Sequence, residues 1–369
     1  MLNDILLKIE NPNQQVIEEA RKHLDSLAKP LGSLGKLEDI AAQVAGIRGM
    51  VHPQLHKKCT IIMASDHGIV EEGIACAPPE VTAIQTINIL KNLTGICAIS
   101  NSNGSDIKVV DIGVKVDLNH PELVQRKVRY GTANFAKGPA MEREEAIRGL
   151  EIGIEMVRDL VDEGYDLLGT GEMGIGNTSC SSAVYMAFTG SSAEIAVGKG
   201  GGITVEAFQL KRKVIKEALA LNNPNPEDPL DVLTKVGGLD LIGMAGCFIG
   251  AAYYKVPIVI DGFISAAAAL AAYRLNPKVK GYMIPSHMSL EPGYIRIMDE
   301  IGLEPVLHLD MRLGEGTGCP IAFSIIEAAL GVLNNMATFQ QAVIDEDHLV
   351  DIRKEEPAIQ KSSKKEKHL

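Results

Sequence analysis

An alternation that runs through most of the chain limits its fold more than any other feature. Short apolar runs of strand length each close in a polar turn, and most then give way to helical spacing. CTIIMASD (59–66), IKVVDIGV (107–114), YDLLGTGEMG (165–174), VPIVIDG (256–262), GYMIPSH (281–287) and PVLHLD (305–310) read as strands. Helical patterns follow at 79–92, 143–164, 177–188, 205–221, 264–275 and 321–335, where Pro320 suits the first turn of the last one. A loop of about thirty residues separates the second strand from its helix. Apolar strands alternating with helices imply an α/β chain with a mostly parallel sheet covered by helices on both faces. Two amphipathic helices, in 14–30 and 35–47, precede this alternation.

Ligands of such sheets bind beyond the carboxyl ends of the strands. The chemically loaded stretches lie there: SDHG, DIGV, GEMGIGNTS, IDGF, PSHMS and RLGEGTG. Their convergence is a stronger signal than any one of them. In GTGEMGIGNTS (169–179) glycines let backbone N–H groups approach a ligand, and a helix start favours an anion. The spacing is neither a P-loop nor GxGxxG, and a tight turn capped by Asn177 or Thr178 is an equal reading. Glu172 favours function, since an acid among glycines at a strand end has no packing role. In Gly314-Glu315-Gly316-Thr317-Gly318, burial would raise a carboxyl enough for it to act as a base near neutral pH. Arg312 can pair bidentately with a carboxylate or phosphate, or with Glu315 itself. Among Lys211, Arg212 and Lys213, a solvated helix face competes with one lysine turned inward to hold a phosphate. His67, His287 and His308 lack metal-ligand spacing and read as structural.

Composition removes other classes. A net charge of −11 and a 4% aromatic share without Trp argue against nucleic acid as a partner. The six Cys are scattered without a CxxC pair, which fits reduced thiols of the cytoplasm. The acidic start MLNDILLKIENPNQQ does not read as a signal peptide. The most apolar region, 239–262, reads as a buried helix feeding a buried strand rather than a membrane span. The lysine-rich end, 356–369, reads as a disordered tail.

KPLGSLGKLEDIA, ASDHGIVEEGI, PPEVT, GTANFAKGPAM, GEMGIGNTS, IDGFISAAAALAA, SHMSLEPGY and MRLGEGTG occur in that order over about residues 20–340. Together they resemble the nicotinate-nucleotide:dimethylbenzimidazole phosphoribosyltransferase family. The resemblance implies a Rossmann-like sheet at 51–334 and a smaller helical domain from 1–50 and 335–355. It implies a cytoplasmic homodimer that needs no cofactor and no metal. Its substrates would be nicotinate mononucleotide and an aromatic base, usually 5,6-dimethylbenzimidazole. Glu315 matches the catalytic glutamate, with Glu172 beside the substrates. Gly174, Gly176, Asn177, Thr178, Lys211, Arg312, Gly314 and Gly316 would bind substrate, as would Asp66 and Ser286 at two further strand ends. The chain departs from the family at Ala75 and Ala77, at Lys199 and Gly201, and at Cys319-Pro320. A different acceptor, or a non-catalytic nucleotide-binding homologue, are the competing readings.

Overall fold

The computed structural model describes residues 1–346 and 349–354, which fall into two units. The larger comprises Met1–Pro12 and Leu55–Ile325, and holds one six-stranded sheet. Its strands are β1 (Lys58–Ser65), β2 (Asp106–Gly113), β3 (Val124–Gln125), β4 (Leu167–Met173), β5 (Ile258–Ile260) and β6 (Met283–Pro285). They lie in the order 3-2-1-4-5-6, and every neighbouring pair is parallel. This is the doubly wound, Rossmann-like arrangement. The chain builds outward from β1 to β3, then returns to the other side of β1 with β4. The reversal leaves a crevice beyond the carboxyl ends of β1 and β4.

The strands read as apolar runs because both faces are covered. Cys59 through Ser65 of β1 are all buried. Behind the sheet, helix Leu239–Tyr254 packs on helix Arg143–Asp162. A Cβ on Gly153 would stand 2.1 Å from the Gly243 carbonyl, and one on Gly246 would stand 2.1 Å from that of Leu150. The backbones therefore touch there, and only glycine permits it. The apolar region 239–262 is a buried helix followed by β5, as expected. Among the described residues, Gly318–Asn335 is the one helix long and apolar enough to cross a membrane, and half of that window is buried inside the protein.

Three sequence expectations need correction. PVLHLD does not form a strand. Leu307 makes a single parallel bridge with His287; the Met288 amide donates to the Leu307 carbonyl and the Leu290 amide to that of Met311, but these bonds do not make a ladder, and Asp310 between them takes a left-handed conformation (φ 52°). The long loop after β2 contains the two-residue β3. Helix Gly95–Asn103 was hidden by its polar end, SNSN, which imitates a turn.

The second unit takes Asn13–Gln54 and the described residues from Ile326 onward. Helices Gln14–Ser26 and Lys36–Arg48 pack together there, and buried Lys29 meets Glu38 at 2.8 Å. The first twelve residues do not belong to this unit. Carbonyls of Leu6, Ile9 and Glu10 accept bonds from Asn276, Lys278 and Tyr282, which ties the segment to the sheet unit. The tail at 356–369 lies outside the described residues.

Candidate functional site

The end of β4 and the loop at 314–316 form one wall at the crevice. Gly171 in β4 has no room for a side chain, because a Cβ there would lie 2.5 Å from the Glu315 carbonyl. The loop therefore lies directly on the strand. Gly314 and Gly316 have φ of 90° and 91°, and Glu315 between them has φ 62°. That region costs a non-glycine residue roughly 1–2 kcal/mol, and such outliers gather at functional sites. A Cβ on Gly314 would meet Glu172 Oε1 at 2.5 Å, and one on Gly316 would meet Thr60 at 2.8 Å. The glycines flanking Glu315 thus serve the backbone turn and its contact with β1 and β4.

Both glutamates are buried, Glu172 at 5% and Glu315 at 4% exposure. One peptide links them: the Glu315 amide donates to Glu172 Oε1 at 3.2 Å. Asn177 donates to Glu172 Oε2 and, at 2.9 Å, to Asp240. Asp240 Oδ2 lies 3.3 Å from His67 Nε2, a charge contact more than an aligned hydrogen bond. Burial would lower the His67 pKa, but Asp240 and Cys180 outweigh it and hold the imidazole well above its usual value. Burial, reinforced by Asp240, pushes Glu172 up to about 8, against the bonds from Asn177 and Glu315. Asp261 rises to about 7 by burial, although the amides of Gly318 (2.6 Å) and Gly316 (3.1 Å) donate to it. Asp261 thereby anchors the far end of the glutamate loop. Glu315 itself is gripped from the other side. Gln85 Nε2 donates to its Oε1 at 2.9 Å, and the Ile96 amide, at the start of a helix, donates to Oε2 at 3.2 Å.

A cavity of about 140 Å³ opens beside this wall. Glu172, Gly174, Gly176, Asn177 and Thr178 line it, and Arg312 and Gly314 close it from the opposite loop. It adjoins a wider cleft of about 890 Å³, with Gly200, Gly201, Glu291, Arg312 and Leu313 common to both. Neither Asn177 nor Thr178 caps the helix they open, and Gly176 takes the cap position instead. Arg312 is exposed, and Glu315 is bonded elsewhere, so the two do not pair.

The remaining candidates stand outside the cavity. Lys211 is 2% exposed and lies one layer behind, its Nζ bonded to Thr178 Oγ1 at 2.9 Å. Burial lowers its pKa, opposed by Glu291. Glu315 and Gly316 sit behind Gly314. Ser286 is fully buried and holds the Asp261 carbonyl (2.9 Å) and His287 Nδ1 (3.0 Å), so it braces the wall without reaching the cavity. Asp66 lines a different cavity, with Lys115 and Tyr130, and accepts from the Lys115 amide at 2.7 Å. Sequence reasoning missed Gln85, Asp240, Asp261 and Glu291. Asp261 was visible in IDGF and Glu291 in SHMSLEPGY. Gln85 and Asp240 had no local signal, since both lie inside helical patterns. His287, read as structural, does line the cavity, and burial lowers its pKa to about 4. His308 is exposed.

A phosphoribosyltransferase family model matches residues 9–344. The chain is 51% identical over 354 residues to a nicotinate-nucleotide:dimethylbenzimidazole phosphoribosyltransferase of Clostridium tetani, covering 96% of this chain and 98% of that protein. A protein of the same name from Acetivibrio thermocellus is 53% identical over 346 residues, covering 94% and 99%. A crystal structure of CobT from Thermus thermophilus superposes with a TM-score of 0.87 at 40% identity, covering 90% of this chain and 99% of that one.

Proposed function

The chain belongs to the nicotinate-nucleotide:dimethylbenzimidazole phosphoribosyltransferase family, and from that premise we propose how its residues divide the work. The reaction moves the 5-phosphoribosyl group of nicotinate mononucleotide to 5,6-dimethylbenzimidazole and yields α-ribazole 5′-phosphate and nicotinate, for assembly of the cobalamin nucleotide loop. One acceptor nitrogen gives its lone pair to C1′. The bond from C1′ to the nicotinate nitrogen breaks, and its electron pair leaves with nicotinate. The second acceptor nitrogen then carries a surplus proton.

The observation that supports a division of roles is the pair of linked glutamates. Glu172, pushed up to about 8, stays protonated at neutral pH and suits donation of a hydrogen bond. Glu315 is left to accept the proton. In this reading the acceptor N–H takes the place of Gln85, which donates to Glu315 Oε1. The donor lies along 172–178, with the helix start at Asn177, Arg312 and, behind Thr178, Lys211 drawing its anionic groups. A general base contributes about 10²–10⁴-fold, so holding donor and acceptor in line supplies much of the rest. A homodimer and a cytoplasmic place of action belong to the same proposal, and the molar mass from light scattering would test the first.

The test is incubation with nicotinate mononucleotide and a panel of benzimidazoles, purines and phenols, read by mass spectrometry. Nicotinate release with the ribosylated benzimidazole as main product is expected. Donor binding without release would overturn the catalytic reading, and preference for a purine or phenol would overturn the acceptor.

A further inference from the structure

Glu291 has no part in the division of work above, yet it lines both the cavity and the wider cleft. Its Oε1 accepts from the Gly200 amide at 3.0 Å, while Oε2 is buried without a hydrogen-bond partner. A Cβ on Gly198 would come within 1.9 Å of that oxygen, so the glycine turn is moulded onto the carboxyl group. Lys211, from helix Val205–Asn222, and Arg312, from the loop opposite, both act on Glu291 electrostatically. Among the described residues neither forms an ion pair with it. The buried ammonium is bonded to Thr178 instead. The other ionisable groups on the cavity wall are Cys76, Glu172, Asp261 and His287. A carboxyl group therefore stands beside two cations that it does not contact. An anion entering there is attracted by both cations and repelled by the carboxylate.

We propose that the donor's phosphate binds beside Glu291, facing Arg312 and with Lys211 one layer behind at Thr178, and that Glu291 takes up one proton as it does so, its carboxyl then donating to a phosphate oxygen. This rests on the donor assigned above. Burial already holds Glu291 above the ordinary carboxylate range, against the opposing pull of Lys211, the Gly200 amide and Arg312. One obligatory proton makes donor affinity fall by about tenfold per pH unit once the free carboxyl is ionised. Glutamine cannot ionise, but its amide still donates.

The experiment measures KM and kcat for nicotinate mononucleotide between pH 5 and 9 in the wild type and Glu291→Gln. The wild-type KM should climb with pH while that of the variant stays flat, so the variant has the lower donor KM at the alkaline end. A merely structural role for Glu291 would raise KM in parallel at every pH, and that result overturns the inference. Should the variant not fold, calorimetry of the wild type in buffers of different ionisation enthalpy provides the second reading. Uptake of close to one proton with nicotinate mononucleotide at pH 8, and none with the riboside lacking phosphate, is expected. Equal uptake with both, or none with either, overturns it. Nicotinate release is followed in the same wild-type samples, so its absence would show that the donor assignment had failed instead.

Discussion

Glu315 and Glu172 are buried acids set among glycines on one wall of the crevice. One Glu315 amide joins them, and only the fold brings residues 172 and 315 together. Their environments then separate them. Burial and Asp240 raise Glu172, while Gln85 and the Ile96 amide grip Glu315. Glu172→Gln keeps the bonds that oxygen accepts on one side but removes the proton-bearing carboxyl. It should lower turnover in a protein that stays folded, and full activity at saturating substrates would remove Glu172 from the site. Lys211 stands behind Thr178, so its effect should reach the donor alone. Lys211→Ala is expected to raise the donor KM well above any change for the acceptor, and an effect confined to the acceptor would contradict that placement. Asp66 and Ser286 illustrate the limit of reading single positions. Each ends a strand, yet one faces another cavity and the other braces Asp261.

The elements that could be read were continuous apolar runs closed by turns, and helices with one apolar face. β1, β2 and β4 are such runs, buried along most of their length, and helix Arg143–Asp162 carries such a face. Three elements escaped that reading: β3, the 305–310 segment and helix Gly95–Asn103, although the equally short β5 and β6 were read as strands. The 305–310 segment forms one isolated bridge, at Leu307, and no ladder. Helix Gly95–Asn103 had little periodicity to show, yet its first turn supplies the amide that holds Glu315. Contact between β4 and the glutamate loop makes a prediction at this level. In Gly171→Ala the new methyl must displace the Glu315 carbonyl, since they would stand 2.5 Å apart. We expect turnover to fall by about tenfold or more, as ångström misplacement of a catalytic group does, while circular dichroism stays that of the wild type. Unchanged turnover would show that the loop's seat on β4 does not set the geometry.

At the scale of the whole molecule, the strand order reverses between β1 and β4, and the buried acids gather there. That concentration links the site to stability. Glu172 and Asp261 have folded values of about 8 and about 7, above their ordinary 4.5 and 3.8. The folded protein then binds more protons than the unfolded chain between those limits, so stability falls as pH rises. Their contribution is complete below the ordinary carboxyl range and is lost as pH passes through about 7 to 8. Glu172→Gln cannot lose that proton. Its melting temperature should gain on the wild type from pH 5 to pH 8.5, and parallel pH curves would refute the linkage. The parallel sheet was legible in the sequence because it follows from alternation, whereas the strand order was not. The proton balance was not, because it depends on which acids the crevice encloses. The central claim is that proton transfer to Glu315 accompanies phosphoribosyl transfer at this crevice. Its most direct test is the single-turnover rate of Glu315→Gln with nicotinate mononucleotide and 5,6-dimethylbenzimidazole. Glutamine keeps the shape and removes the base. We predict a rate lower by about 10²-fold or more with donor affinity little changed. A near-normal rate would contradict the claim and pass the role to another group, with Glu172 the first to examine.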